Sequence, residues 1–219
     1  MSKDLRGAIR LLIVDDHMII RRGLIQILGE NPRLHIAGEA ADGATALRVL
    51  RSTTVDVVLL DIALGERDGI DVLGSIRHEF PQLGVIMLSV YPESQFALRA
   101  IRSGANAYLN KGCAPEELFS AIERAAAGGT HVTPAIAELM AQDIRGNRTR
   151  APHETLSNRE FQVLQLLAQG ESVSGIAQQL SLSANTISTY RARIFEKLGL
   201  RNNVELAAYA GRHQLLAMQ

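Results

Sequence analysis

The chain of 219 residues has room for two ordinary domains, and with 47% hydrophobic side chains it can fill a sizeable core, which excludes wholesale disorder. Its net charge is zero, yet residues 1–145 hold 15 Lys/Arg against 18 Asp/Glu while residues 146–219 hold 8 against 5, so the smaller part is the candidate for nucleic acid. The single cysteine, Cys113, excludes an intrachain disulfide and fits a reducing, cytoplasmic setting; the first eight residues do not read as a signal peptide, and no stretch approaches the roughly 20 apolar residues of a membrane helix.

From the N-terminus, short apolar runs alternate with amphipathic stretches. The runs are 9–14 (IRLLIV), 34–37, 55–60 (VDVVLL), 85–88 (VIML) and 105–109 (ANAYL). Helical periodicity covers 17–29, 42–52, 69–79, 93–103 and 114–127. Five strands, each followed by a helix, predict an α/β domain over residues 1–130: a five-stranded, doubly wound parallel sheet covered on both faces. After Gly128-Gly129 the rhythm changes. Residues 133–144 read as one more helix and 145–154 (RGNRTRAPHE) as a polar linker, so 131–154 joins two domains.

Residues 155–219 show only helical periodicity and predict an all-α, four-helix domain. Ser157 is an N-cap and Glu160, three residues on, completes a capping box before the apolar face of Val163, Leu164 and Leu167; Gly170 ends that helix. A second helix covers 172–180, and Ser183 caps a third that runs to Lys197. Helix, short turn, helix is a frame that delivers a recognition helix to a major groove. At 100° per residue, Ile187, Ile194 and Leu198 fall together with Tyr190 beside them, and Asn185, Ser188, Thr189, Ala192, Arg193 and Glu196 lie opposite. A plain helical bundle accounts for that periodicity equally well. The last helix, 203–212, carries an apolar stripe of Val204, Leu206, Ala207 and Ala210, for which buried packing is the commoner use.

In doubly wound sheets the ligand sits outside the carboxyl ends of the strands. Just after the first, third, fourth and fifth runs come Asp15 and Asp16, Asp61, Ser89 and Lys111. Singly, each has an ordinary explanation: Asp15-Asp16 as helix caps, Asp61 as a turn residue, Lys111 as a solvated lysine. Together they put three acids, a hydroxyl and an ammonium at one edge. Carboxylates so placed repel one another unless a cation joins them, and hard oxygen ligands suit Mg2+. An Asp beside Mg2+ can also accept a phosphoryl group, with a lysine and a hydroxyl binding its oxygens.

The segments Ile13-Val14-Asp15-Asp16-His17, Asp61 with Asp68-Gly69, Leu88-Ser89 and Tyr108-Leu109-Asn110-Lys111 resemble the receiver domain of bacterial response regulators over about residues 9–127. The resemblance implies that Asp61 accepts a phosphoryl group from a sensor histidine kinase. It implies Mg2+ held by Asp16, Asp61 and the Ala63 backbone carbonyl, with Asp15 acting through water. Ser89 and Lys111 would hold the phosphoryl oxygens, and Tyr108 would be the switch aromatic that turns inward on activation. Where the family often has Met-Pro, this chain has Leu64-Gly65; where many members have a cis proline after the lysine, it has Gly112. Ala63 and Tyr91 stand at positions that tune dephosphorylation, and neither orients an attacking water well, which predicts a fairly long-lived aspartyl phosphate. His17 is assigned no chemistry.

The segments LSNREFQVLQLLAQG, IAQQLSLSANTIS and KLGL resemble the LuxR-type helix-turn-helix domain over about 155–215. This implies base contacts from Ser188, Thr189 and Ala192, with Arg191, Arg193 and Lys197 near phosphates of double-stranded DNA. The family usually has Lys at 188 and His at 190. Without a basic side chain at the base-facing positions, bidentate guanine contacts are missing there, and readout leans on thymine methyls, water and DNA shape. The family also pairs its DNA-binding domains through the last helix, which predicts a homodimer in the active state reading half-sites about one helical turn apart. In this order the two matches resemble a NarL/FixJ-type response regulator, with a lean to the branch of Gac-type global regulators: a transcription regulator, not an enzyme. Two rivals stand beside it. A phosphatase using Asp61 would need a second Asp where Ala63 stands. A receiver serving only as a phosphorylation-independent dimerisation module would not need the acidic cluster.

Overall fold

The computed structural model describes residues 7–64, 68–91, 93–145, 151–180, 182–213 and 215–216. They divide into two compact units, 1–148 and 149–219.

In the first unit, β1 (Ile9–Val14), β2 (Leu34–Ala40), β3 (Val57–Asp61), β4 (Gly84–Ser89) and β5 (Ala107–Asn110) alternate with α1 (Met18–Gly29), α2 (Gly43–Ser52), α3 (Gly69–Glu79), α4 (Glu93–Arg102) and α5 (Pro115–Ala126). The strands pair in parallel in the order β2-β1-β3-β4-β5. This is the expected doubly wound sheet. Leu11, Ile13, Val57, Leu59, Ile86, Leu88, Ala107 and Leu109 pack with Leu118, Ala121, Ile122 and Ala125 of α5. Their neighbours Leu12, Val14, Val58, Leu60, Met87 and Tyr108 fall on the other face by the two-residue period and are as deeply buried. Such two-sided burial is why β3 and β4 read as unbroken apolar runs. Edge strand β2 is half-buried and extends to Ala40, past the apolar signal that fades at Gly38-Glu39.

At the opposite end of the sheet from the acids, Arg10 closes the β1–β3 seam. Its backbone amide donates to Asp56 Oδ2 (2.8 Å), and its guanidinium to Oδ2 (2.9 Å) and Oδ1 (2.7 Å). These bonds hold the Asp56 carboxyl below its usual range. The stabilisation is present above the ordinary carboxylate pKa and lost as pH falls through the depressed one. Asp56→Asn should therefore lower urea stability at pH 7, by an amount that shrinks toward pH ~3. A gap independent of pH would remove the ion pair as its cause.

Helix α6 (Pro134–Ile144) belongs to this unit and packs on α4, so the unit extends past residue 130. Ile136 is fully buried; Thr133 Oγ1 donates to Glu93 Oε2 (2.7 Å) at one end of α4, and Arg102 pairs with Asp143 at the other.

The second unit opens with a 3-10 turn, Pro152–Thr155, inside the segment expected as linker; residues 146–150 of that segment lie outside the described residues. Then come α7 (Asn158–Ala168), α8 (Val173–Gln179), α9 (Ala184–Leu198) and α10 (Asn203–Arg212). Each of these helices starts on a side-chain cap: Ser157, Ser172, Ser183 and Asn202 accept from the amides of Glu160, Gly175, Thr186 and Glu205. Helix α9 stops at Gly199, whose φ of +66° a residue without Cβ adopts freely, and the amides of Gly199 and Leu200 bond back to Glu196 and Phe195. Phe161, Leu164, Ile176, Ile187, Ile194, Leu206 and Ala210 form the centre.

Candidate functional site

Strand order reverses between β1 and β3, so the chain leaves the sheet in opposite directions there and opens a crevice at their carboxyl ends. Asp15 and Asp16 follow β1, Asp61 ends β3, Ser89 ends β4 and Lys111 follows β5. The structure brings these residues together. Lys111 Nζ lies 2.6 Å from Asp15 Oδ2 and 3.0 Å from Asp61 Oδ2. One ligand atom each from Asp15, Asp16, His17 and Asp61 can be chosen so that all lie within 4.8 Å of one another.

Burial sets the electrostatics. Asp61 is 3% exposed and Asp15 1%. Desolvation pushes the Asp61 carboxyl above its ordinary pKa, and the Asp15 charge adds to this while Lys111 opposes it. Burial also works against the Lys111 charge, but Asp61 and Asp15 outweigh it and hold the ammonium above its usual value. One ammonium faces a set of three carboxylates, and a hard divalent cation suits that donor set.

The loops hold the groups by local bonds. Asp15 Oδ1 accepts from the His17 amide (2.8 Å), and Ala63 N donates to Asp61 Oδ1 (3.3 Å). After β5, Lys111 N donates to Ser89 O (2.7 Å), Gly112 N to Asn110 Oδ1 (2.8 Å) and Cys113 N to Asn110 O (2.9 Å). That turn needs no proline, and no cis peptide occurs among the described residues. Asp68 caps α3 by accepting from Ile70 N (2.9 Å), and Gly69 N donates to Ile62 O (2.9 Å). Gly65 lies outside the described residues.

Tyr108 sits in β5. Its side chain is already fully buried and its hydroxyl donates to Tyr91 O (3.1 Å), while Ser89 Oγ accepts from Tyr91 N (2.9 Å). Burial raises the phenol pKa. The ring lies inward in this conformation, on the side of β5 opposite the α5-packed residues.

On α9, Ser188, Thr189, Ala192 and Arg193 are exposed together with Asn185 and Glu196, and Ile187 and Ile194 are fully buried, as the angular reading required. Ser188 Oγ donates to Ala184 O (2.9 Å) and Thr189 Oγ1 to Asn185 O (3.0 Å). Arg191 Nε donates to Asn203 Oδ1 (3.0 Å), and its guanidinium lies over the Phe195 ring at 4.8 Å. Lys197 is less free than expected: its ammonium is 2.6 Å from the buried Glu160 carboxylate. On α10, Leu206 and Ala210 are buried, while Val204 is 79% exposed.

Two residues at the acidic edge were not singled out by sequence. Arg21 donates to the Asp15 carbonyl (2.6 Å) and lies 3.3 Å from Glu39, bracing the β1–α1 turn. His17 Nδ1 lies 2.7 Å from Asp16 Oδ1. An arginine one turn into a helix carries no signal of its own; His17 was visible as a neighbour of two acids.

Comparison with known proteins agrees with this architecture. Residues 11–123 match the response regulator receiver domain, and residues 154–210 match the luxR family of bacterial regulatory proteins. The chain is 36% identical over 208 residues to the response regulator UvrY of Escherichia coli K12, covering 94% of this chain and 95% of that one. It is 34% identical over 209 residues to the response regulator GacA of Pseudomonas aeruginosa, covering 95% and 98%. Among solved structures it is similar to RcsB of Salmonella enterica serovar Typhimurium bound to promoter DNA in the presence of the phosphomimetic BeF3−. There the TM-score is 0.60 and the identity 26%, over 93% of this chain and 98% of that one.

Proposed function

The chain belongs to the NarL/FixJ family of two-component response regulators, a receiver domain joined to a LuxR-type DNA-binding domain, and from that premise we propose that Asp61 is its phosphoacceptor. The observation that carries the reading is the Lys111 ammonium held between Asp15 and Asp61 at the switch point of the sheet. In the proposed reaction an Asp61 carboxylate oxygen attacks the phosphorus of a phosphohistidine on the kinase; the O–P bond forms as the N–P bond breaks. Lys111 pairs with an oxygen of the transferred group, and Ser89 Oγ offers a hydroxyl to another. Asp16, Asp61 and the Ala63 carbonyl would hold Mg2+, with Asp15 helping through water. When bound, Mg2+ would neutralise charge on the incoming phosphoryl oxygens.

The added group brings about −1.5 to −2 charges to a buried edge. Ser89 and Tyr108 would move to meet it while Lys111 pairs with it, biasing the α4–α5 face toward a form that promotes dimerisation or DNA binding. In the second unit we assign base contacts to Ser188, Thr189 and Ala192, exposed on α9, and phosphate contacts to half-buried Arg191 and exposed Arg193 and Lys197. The similarity to RcsB bound to promoter DNA supports DNA binding by this chain. Homodimerisation through α10, with Val204 on its open side, would space two half-sites about one helical turn apart.

The deciding experiment is intact mass after incubation with acetyl phosphate and Mg2+. Wild type should gain one phosphoryl mass and Asp61→Asn none, and the adduct should outlast seconds in Mg2+ because neither Ala63 nor Tyr91 orients water. Equal gain in both proteins, or none in either, would leave a phosphorylation-independent DNA-binding protein as the better account.

A further inference from the structure

We propose that His17 is an additional ligand donor that lets the acidic site hold a borderline divalent ion such as Ni2+ or Zn2+ as well as Mg2+. The inference rests on the metal-site reading given above and extends it from one class of ion to two.

The geometry comes first. Six donors about 2.1 Å from an ion lie about 3 Å from their neighbours and about 4.2 Å from the donor opposite. His17 Nδ1 is 2.7 Å from Asp16 Oδ1 and 3.5 Å from Asp15 Oδ1, values that bracket the expected edge. The donors of Asp15, Asp16, His17 and Asp61 all lie within 4.8 Å of one another, slightly more than the expected diagonal. Among the described residues, the ring's recorded polar contacts are with the Asp16 and Asp15 carboxylates. It stands at the N-cap of α1, yet its side chain makes no capping bond, and at 67% exposure packing does not hold it. Its amide donates to Asp15 Oδ1 at 2.8 Å and its Nδ1 lies 2.7 Å from Asp16 Oδ1, which keeps the residue beside the carboxylates.

Chemistry then separates the ions. Mg2+ takes oxygen ligands and gains little from an imidazole. Ni2+ and Zn2+ bind imidazole nitrogen well and, on the same donors, rank above the lighter first-row ions. A site of carboxylates alone would discriminate weakly between these classes. With His17 at its mouth, the borderline ions gain a bond that Mg2+ does not use. Such an ion engages Asp16 and Asp61 and competes with Mg2+ for them.

The test is isothermal titration calorimetry of the metal-stripped full chain with NiCl2 and, separately, MgCl2. Six histidines give Ni2+ other places to bind, so the component lost in Asp16→Asn marks the site. At that component His17→Ala and His17→Gln should each weaken Ni2+ by about tenfold or more while Mg2+ affinity stays within about twofold. Two variants guard against a fault peculiar to one. Unchanged Ni2+ affinity, or a parallel fall for both ions, would overturn the role of His17 and leave the Mg2+ site standing. Absence of any Asp16-dependent component for either ion in wild type would overturn the metal site itself.

Discussion

Gly69→Ala should cost about 3 kcal/mol of folding stability and reduce phosphoryl uptake from acetyl phosphate to background. A methyl group at this position would sit 2.2 Å from the Asp61 carbonyl oxygen, 2.9 Å from Ile62 Cα and 3.0 Å from the Ile62 carbonyl oxygen. All three are backbone atoms, so no side chain can swing aside. Helix propensity argues the other way, since alanine is favoured over glycine by up to about 1 kcal/mol inside a helix. Steric overlap with Asp61, the proposed phosphoacceptor, outweighs that gain. Urea unfolding gives the first effect and intact mass the second. A variant as stable as wild type would mean that the β3–α3 corner yields more easily than its backbone contacts indicate.

Lys197→Met should destabilise the second unit by about 2–3 kcal/mol. Its ammonium is the cation beside Glu160, which is 2% exposed and also accepts from the Ser157 amide (2.7 Å) in the capping box. Removing the lysine strands a buried carboxylate. The cost falls short of a fully buried pair because the Lys197 side chain is 38% exposed and water reaches its end. Glu160→Gln in the same chain should restore most of the loss, because an amide oxygen still accepts from Ser157 and carries no charge. Arg193→Ala is the contrasting variant. Arg193 is exposed on α9, so its removal should leave stability within about 0.5 kcal/mol and weaken DNA binding evenly across sequences, with the salt dependence shallower by about one unit. If Lys197→Met instead left the unfolding curve unchanged while lowering DNA affinity, its main role would be the phosphate contact expected from sequence.

The sheet was legible because buried parallel strands cannot hide their apolar runs: β1 begins and ends where the sequence puts it, and β3 ends on the acid that the run points to. Capping chemistry made α7 and α9 equally readable, through Ser157 with Glu160 and through Ser183. The cluster of Asp15, Asp61 and Lys111 followed from strand ends alone. What escaped depends on packing between distant segments. The 3-10 turn at Pro152–Thr155 sits in a polar stretch and is held by Tyr209, whose hydroxyl lies 3.0 Å from His153 Nδ1, a partner 56 residues away. The bond of the Tyr108 hydroxyl to the Tyr91 carbonyl joins residues 17 apart. The pairing of Lys197 with Glu160 spans 37 residues and turns an apparent surface cation into part of a cap.

The two hydroxyls on α9 have a consequence for the chemical identity of the surface that α9 offers. Ser188 and Thr189 each donate their one proton to a carbonyl four residues back in the helix. Outward they present lone pairs only. On the proposed reading of α9, these positions form a patch that accepts and does not donate. Its complement in a major groove is an exocyclic amine, N6 of adenine or N4 of cytosine, and the keto oxygens of guanine and thymine find no proton there. Preference would arise as much from repelling the wrong edge as from attracting the right one.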